Sequence, residues 1–356
     1  MKKVMLFVVI SLFVFTAFCM SASENPIFSV IIFRHGDRTP LEPLAANAYN
    51  WGEDYGALTP LGMQEEFKLG ELLRKKYIEE YKLLPEAYDS NALYVRSVPM
   101  DRTLMSAECV LYGLYPSGTG PELNGKPALP YKFQPIPVYT VEKERDTLLS
   151  GQSVYKAKIK KLQDKYVYNS KEWLAKENEL KQYFKLWSSA SGEKITSLKK
   201  AKSFASNIFI RSLHNVPIPK DVDTKEQKEI LIPLASWMHA QEFKPQRVGV
   251  ITSSDYLENF ITVFDNFKNK KSTIKCYLYS AHDTNILAIM SALGVPLDEN
   301  PHYSSYLAFN VYEIEGDYYL KVVYNDKTVK LSIDVENDLC KMSEFKKYID
   351  AIQKND

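Results

Sequence analysis

Cysteine is scarce in this chain, and charge of neither sign dominates it. The 356 residues include four cysteines, and 45 basic residues against 44 acidic ones leave a formal net charge of +1. Without a basic stripe the chain is a poor match for nucleic acid or for an anionic membrane surface, so neither is expected as a partner. Internal repeats and low-complexity tracts are also absent. A positive field that binds a ligand must therefore be local to a pocket.

Long apolar runs are missing after the N-terminus. Two lysines precede a mostly apolar stretch over residues 4–20, and small residues follow it. This layout predicts a secretory signal peptide over residues 1–22, cleaved near Ala22, and a periplasmic or secreted protein without membrane contact after cleavage. A membrane anchor is the alternative, but the stretch is short for spanning a bilayer. The absence of any Asn-x-Ser/Thr acceptor, with abundant lysine, favours a bacterial protein.

Three cysteines remain after the predicted cleavage, namely Cys109, Cys276 and Cys340. Disulfides form in export compartments, and an odd number of cysteines allows at most one bridge within the chain. The sequence leaves open which two would pair. The roughly 330 residues that remain are enough for one large α/β domain with an insertion, or for two domains.

The most informative segment has the sequence RHGDRTP and spans residues 34–40. It follows the short apolar run 27–33, which predicts a buried strand that ends at the motif. His35 lies between the guanidinium groups of Arg34 and Arg38, whose charge disfavours protonation of the imidazole. Arginine forks match phosphate oxygens, so the motif indicates a phosphate site with a neutral, nucleophilic histidine.

Two further runs, 92–95 and 274–279, also end in polar loops, and helical patterns begin near Asp101 and Asp283. The repetition of strand, reactive loop and helix predicts an α/β fold, a sheet core with helices on both faces, whose C-terminal edge gathers the reactive side chains. The periodicity also predicts a helix from about residue 61 to 81. Alternation around Glu315 predicts an antiparallel hairpin over 306–313 and 318–324.

Between residues 151 and 242 the composition changes to charged stretches with aromatic residues at helical spacing. Such stripes usually form a helical core, so this pattern predicts a mainly α-helical insertion rather than a cofactor box. The predicted organisation is a signal peptide over 1–22, an α/β core from 23–150 and 243–356, and the insertion over 151–242.

The ordered set of motifs resembles the histidine acid phosphatase family, which has RHGxRxP early in the chain and an HD pair far downstream. The HD pair here is His282-Asp283, and the segments 58–64, 93–97, 101–107 and 135–138 also resemble family stretches. The similarity covers most of the chain after residue 26 and is weakest over residues 150–240. It implies a phosphoglycerate-mutase-like α/β core, with the helical insertion as a cap over the pocket.

The resemblance also implies a role for each motif residue. His35 is expected to attack phosphorus and become a phosphohistidine, and Asp283 is expected to protonate the leaving oxygen and then assist water. A carboxyl donates a proton only when protonated, so acidic pH is favoured. Four side chains are expected to hold the phosphoryl oxygens: Arg34, Arg38, Arg96 and His282. Because guanidinium groups neutralise the phosphate, neither a metal nor another cofactor is expected.

The other charged residues near the motifs have simpler predicted roles. Asp37 is expected to orient the loop arginines, and Arg102, beside a helix start, is expected to form a salt bridge. The remaining histidines match no motif, so surface or structural positions are the default for His214, His239 and His302.

Small phosphomonoesters are the expected substrates, with sugar phosphates, nucleotides and phosphotyrosine left open. A phytase shares both motifs, but Glu42, Glu53 and Asp54 follow the first motif, where a polyphosphate needs cations. A phosphoglycerate-mutase-like phosphotransferase and a non-catalytic phosphate-binding protein are further alternatives. Export and the aspartate of the HD pair favour hydrolysis over phosphotransfer. The intact nucleophile and acid disfavour a protein that only binds phosphate. A homodimer is left open.

Overall fold

The computed structural model describes residues 25–333 and 338–354, so the predicted signal peptide lies outside the described residues. The strands are β1 (Phe28–Arg34), β2 (Leu93–Ser97), β3 (Glu122–Leu123), β4 (Lys126–Pro127), β5 (Cys276–Ala281), β6 (Tyr306–Ile314), β7 (Asp317–Tyr324), β8 (Lys327–Thr328) and β9 (Cys340–Lys341). The α-helices are α1 (Pro60–Leu73), α2 (Asp101–Leu114), α3 (Gly151–Val154), α4 (Lys156–Tyr166), α5 (Lys171–Leu180), α6 (Phe184–Ser191), α7 (Leu198–Leu213), α8 (Lys225–Phe243), α9 (Gln246–Lys268), α10 (Asp283–Ala292) and α11 (Met342–Lys354).

One mixed sheet forms the centre of the fold. Its strand order is β2-β5-β1-β6-β7-β8, with β9 paired to β7. The three strands that end near the motifs, β2, β5 and β1, are parallel, whereas β6 runs antiparallel to both β1 and β7. The β6–β7 pair is the predicted hairpin. Every residue of β1 is buried, as its mostly apolar sequence predicted.

Alternate side chains of β1 point to opposite faces of the sheet. Ile31 and Phe33 pack with α1 and α2 on one face, whereas Val30 and Ile32 pack with α9, α10 and α11 on the other. The prediction of a sheet core with helices on both faces is therefore confirmed. The predicted helix over residues 61–81 is also present, but its regular α-helical part ends at Leu73 and a π-helix continues over Arg74–Glu80.

The helices α5 to α8 bury a separate apolar core. Its largest side chains include those of Trp173, Trp187 and Phe204, and Leu44 from the loop after the motif packs into it. Trp173 and Trp187 belong to the aromatic stripe that the sequence placed at helical spacing. Within residues 25–333 and 338–354, no helix combines the length and apolar character that crossing a bilayer requires.

Helix α1 buries one carboxyl group beneath the sheet edge. Glu66 is fully buried and accepts a hydrogen bond from the Ser304 hydroxyl at 2.9 Å, while its Oε2 has no partner. Burial, reinforced by Glu65, raises the pKa of Glu66 well above its ordinary value of 4.5. The native state therefore keeps a proton that the unfolded chain loses, and the free energy of unfolding falls as pH rises from 4.5 through the native pKa.

Replacing Glu66 with glutamine should remove this decrease in the free energy of unfolding with rising pH. We expect Glu66→Gln to raise the melting temperature at pH 7.5 by about 2–4 °C, the shift that ~1 kcal/mol produces in a large domain, and to change it little at pH 4. Thermal melts at both pH values measure this. The matched control is Glu71→Gln on the exposed side of α1, which should have no effect at either pH. Destabilisation by Glu66→Gln at pH 7.5 would show that the buried carboxyl is charged.

Candidate active site

The two sequence motifs meet at the C-terminal edge of the parallel strands. Arg34 ends β1 beside Ala281, which ends β5, and the backbone amide of His35 donates to the Ala281 carbonyl at 3.0 Å. His282 follows β5 directly and Asp283 begins α10. This position brings the RHG and HD segments side by side, although almost 250 residues separate them in the sequence.

The imidazole of His35 is held in one tautomer. Its Nδ1 lies 2.7 Å from the carbonyl oxygen of Gly36. A carbonyl oxygen only accepts, so Nδ1 carries the hydrogen and Nε2 keeps its lone pair. Burial lowers the pKa of His35 well below 6.5, and the neighbouring His282, Arg34, Arg102 and Arg38 lower it further. The His35 imidazole is therefore neutral even at mildly acidic pH.

Two glycines bring the motif loop against the start of α1. A Cβ on Gly36 would lie 2.4 Å from the carbonyl oxygen of Gly62, and a Cβ on Gly62 would lie 2.2 Å from that of Asp37. Both distances are shorter than van der Waals contact, so only glycine permits this approach of two backbones. The contact fixes the loop that carries the arginines.

Arg34 and Asp283 form a buried ion pair, with Nη2 3.0 Å from Oδ2. The Arg34 guanidinium also donates to the Pro301 carbonyl and lies 4.1 Å from the ring centre of Tyr303. The other oxygen of Asp283 accepts from the Thr284 amide at 2.8 Å. Burial acts to raise the pKa of Asp283, but Arg34, His239, Asn300 and His35 together outweigh it and hold the pKa well below 3.8.

Three cationic groups surround His282 and His35, and one of them was not predicted. Burial and the charges of Arg102 and Arg38 lower the pKa of His282 to about 3. Arg38 is nearly buried and donates to the Thr39 carbonyl at 2.9 Å. Arg102 lies in the first turn of α2, and no salt bridge forms to it within the described residues, contrary to the sequence expectation. Burial lowers its pKa to about 10, so it stays charged at acidic and neutral pH.

Arg96 is engaged by a carboxylate. Its guanidinium is paired with Asp146, whose side chain is fully buried, and the same Asp146 oxygen accepts from the Leu149 amide at 3.0 Å. The phosphate contact expected of Arg96 stays a prediction. Arg102, six residues later in the same segment, supplies the positive charge that acts on His35 and His282.

Asp37 joins the motif loop to α7 rather than orienting the arginines. Its Oδ2 accepts from Nε2 of His214 at 2.6 Å and from the Thr59 hydroxyl at 2.5 Å. Asp37 is fully buried, and His214 is the residue that caps the C-terminus of α7. The expected structural role of Asp37 is thus realised through a different partner.

A cavity of about 100 Å³ adjoins the Arg34–Asp283 pair. Helices α7 and α8 form one wall, and residues 300–303 form another. His239 of α8 faces it, so the default assignment of this histidine to a surface or structural position is incomplete. Burial lowers the pKa of His239 to about 4, which leaves the imidazole uncharged at pH 5. No sequence motif marks His239 or Asn300, because both reach the site only through the tertiary fold.

Cation-binding residues are not clustered in this pocket. Within residues 25–333 and 338–354, no group of three or more histidine, cysteine, aspartate or glutamate side chains could hold a metal ion. Cys109 and Cys276 are free thiols, and burial raises their pKa to about 11 and about 12. The pocket is built around guanidinium groups, which suit an anion.

Comparisons with known proteins agree with this geometry. The family model of the histidine phosphatase superfamily (branch 2) matches residues 27–184 and 167–325. Lysosomal acid phosphatase of Xenopus laevis is 28% identical over 356 residues, covering 96% of this chain and 80% of that protein. Human prostatic acid phosphatase is 30% identical over 313 residues, covering 85% and 78%. The chain belongs to the histidine phosphatase superfamily, branch 2.

The solved structures agree on the fold. A phytase of Hafnia alvei superposes with a TM-score of 0.67 at 17% identity, covering 92% of this chain and 97% of that one. Within its superfamily the chain is of the histidine acid phosphatase kind, a hydrolase of phosphate monoesters.

Proposed function

We propose that this phosphatase works through a phosphohistidine on His35, with Asp283 as the proton donor. The guanidinium groups of Arg34, Arg38 and Arg102, with the imidazole of His282, hold the three non-bridging oxygens of the phosphoryl group. The observation that carries the proposal is the tautomer of His35, whose Nδ1 donates to Gly36 and leaves the Nε2 lone pair among three guanidinium groups.

Two displacements at phosphorus complete the reaction. In the first, Nε2 of His35 forms a bond to phosphorus, the bond from phosphorus to the ester oxygen breaks, and Asp283 gives its proton to that oxygen. In the second, water attacks phosphorus, Asp283 takes a proton from the water, and the bond from phosphorus to Nε2 breaks. The products are an alcohol and inorganic phosphate, and His35 is regenerated.

Asp283 is ionised in the empty pocket and must gain a proton when substrate binds. An incoming phosphate competes for the Arg34 guanidinium that now lies 3.0 Å from Asp283. Its negative charge also favours the protonated carboxyl, so binding raises the pKa of Asp283. The proton is available at acidic pH, where His35 is still neutral because its own pKa is depressed. Both requirements are met together at about pH 5.

The activity itself is tested with p-nitrophenyl phosphate at pH 5 after prolonged dialysis against a chelator. Because guanidinium groups supply the charge neutralisation, we expect full turnover without added metal and competitive inhibition by vanadate, an oxyanion mimic. Activity that disappears on dialysis and returns with zinc or magnesium would overturn the metal-free mechanism.

The assignment of Arg102 in place of Arg96 has its own test. Arg102→Ala should lower kcat/KM by about 10²–10³-fold, because it removes a charged donor to the phosphoryl group. Arg96→Ala should lower the melting temperature, since Asp146 loses its partner, but leave kcat/KM of the folded fraction within about threefold. If Arg96→Ala does not fold, the double variant Arg96→Gln with Asp146→Asn keeps a neutral pair. A larger loss of kcat/KM for Arg96→Ala than for Arg102→Ala would mean that Arg96, and not Arg102, binds the phosphate.

The same proposal includes export of the enzyme and its division into a core and a cap. The N-terminal sequence supports export over residues 1–22 and hence a periplasmic or secreted enzyme. The separate core of α5 to α8 supports a helical cap over 151–242 on an α/β core of 23–150 and 243–356.

Small esters are the proposed substrates, and the acidic residues after the first motif disfavour a phytase. The nucleophile and acid together disfavour a protein that only binds phosphate, and export disfavours a phosphotransferase.

A further inference from the structure

The cavity beside Asp283 is lined by one face of each of two helices. Ser206 and Phe209 are three residues apart on α7, while Ile232, Ala235, Ser236 and His239 recur at helical spacing on α8. The cavity opens beside the carboxyl that is proposed to protonate the ester oxygen. The group attached to that oxygen must therefore pass next to this wall. This argument rests on the proposed function.

Asn300 connects the cavity wall to Asp283. Its amide nitrogen donates to Oδ2 of Asp283 at 3.0 Å, and its backbone amide donates to the Ser236 hydroxyl at 2.9 Å. The side-chain carbonyl oxygen, Oδ1, is buried and has no hydrogen-bond partner among the described residues. A buried acceptor without a hydrogen bond is unfavourable unless a ligand or water donates to it. The position of Oδ1 therefore indicates a hydrogen-bond donor on the bound substrate.

Two more polar groups on the wall are available to hydrogen-bond a ligand. Neither the Ser206 hydroxyl nor the His239 imidazole makes a hydrogen bond to a described residue. Phe209, Ile232 and Ala235 supply apolar surface between them. No lysine, arginine, aspartate or glutamate of α7 or α8 lines the cavity, and Lys202 nearby is paired with Glu242. Arg34 and Arg38 also line the cavity, but both are proposed to hold the phosphoryl group. The wall that α7 and α8 form therefore offers hydrogen bonds and apolar contact, but no charge.

We propose that Ser206, Phe209, Ile232, Ala235, His239 and Asn300 form a leaving-group subsite for a small, uncharged polyol, such as glycerol or a simple sugar. Hydroxyl groups of the polyol satisfy Asn300 Oδ1, Ser206 and His239, and its carbon chain packs on the apolar side chains. A second phosphate or carboxylate would be buried against a wall without cations, which is unfavourable. The cavity of about 100 Å³ is also small beside the roughly 300–1,000 Å³ of pockets for drug-sized ligands.

The test compares two substrates that differ only in hydroxyl groups, glycerol 1-phosphate and n-propyl phosphate. Phosphate, nucleophile and acid are common to both, so the ratio of their kcat/KM values reports on the subsite alone. We expect a ratio of about ten or more for the wild type. Ser206→Ala and Asn300→Leu should each lower the ratio by about threefold to tenfold. Ser203→Ala, one turn away and exposed on α7, is the matched control and should leave the ratio unchanged.

Turnover of p-nitrophenyl phosphate is measured in parallel to separate the two proposals. Absence of that turnover in the wild type would overturn the phosphohistidine mechanism and the subsite with it. Normal turnover with a ratio near one, or a ratio that neither variant changes, would overturn the subsite alone. A higher kcat/KM for inositol hexakisphosphate than for glycerol 1-phosphate would also overturn it. If Asn300→Leu fails to fold, the ratio for Ser206→Ala decides.

Discussion

His35→Ala should lose at least about 10⁴-fold in kcat while the protein stays folded, because the variant has no atom that can bond to phosphorus. Wild-type enzyme quenched in acid or alkali during turnover of ³²P-labelled substrate should carry label that is released by acid and stable to alkali, as expected for a phosphorus–nitrogen bond. The measurement is the amount of labelled protein after each quench.

Two controls make the result specific. Circular dichroism and thermal melting of His35→Ala should be close to the wild type, since the hydrogen bond of the lost imidazole is a local one to the Gly36 carbonyl. His302→Ala removes an exposed imidazole of the cavity wall that has no role in the proposed chemistry, so this variant should still trap phosphoenzyme. Label that persists in His35→Ala would place the phosphoryl group on another residue, and His282, whose ring centre lies 5.3 Å from that of His35, would be the first to examine.

Asp283→Asn should slow phosphoenzyme formation from alkyl phosphates by about 10²–10⁴-fold, because an amide cannot give a proton to a poor leaving group. p-Nitrophenol leaves without much assistance, so the same variant should lose far less in the phosphorylation step with its ester. Rapid-quench measurement of labelled enzyme separates this step from hydrolysis, which is also expected to slow, because the same carboxylate assists water.

Asparagine has the size of aspartate and keeps an oxygen for the Thr284 amide, so the position of α10 should not change. Substrate affinity should weaken little, since the guanidinium groups hold the phosphate. An equal fractional loss with alkyl and nitrophenyl esters in the phosphorylation step would mean that Asp283 does not act on the leaving group. Its contact with Arg34 would then be its main contribution.

Much of the fold was accessible from sequence because each reactive segment directly follows a strand. The run before Arg34 is short and rich in β-branched residues, and the run before His282 is short and rich in tyrosine and leucine. Parallel strands bring the C-terminal ends of both runs to one edge. The pairing of the two motifs thus follows from local patterns and one rule of sheet topology. The π-helix after Leu73 is not foreseeable in the same way, because its residues keep a helical hydrophobic period.

The individual residues of the site were harder to predict from the sequence. Arg96 and Arg102 lie six residues apart on either side of the turn into α2, and either could face a phosphate by sequence alone. In the structure the two differ in their partners, because the buried carboxylate of Asp146, 50 residues away, engages Arg96. His239 and Asn300 reach the cavity only through the packing of α8 and the loop before β6. No local pattern records such contacts.

The hydrogen bond between His214 and Asp37 constrains how ligands enter and leave. It anchors the end of α7 to the fully buried carboxylate of the nucleophile loop, and Arg211 on the same helix donates to the Asn47 and Pro217 carbonyls. Moving α7 away from this loop would take His214 from the fully buried Asp37 carboxylate, which is unfavourable because a buried acceptor loses free energy with its hydrogen bond. We therefore expect α7 and the motif loop to stay together while ligands bind and leave.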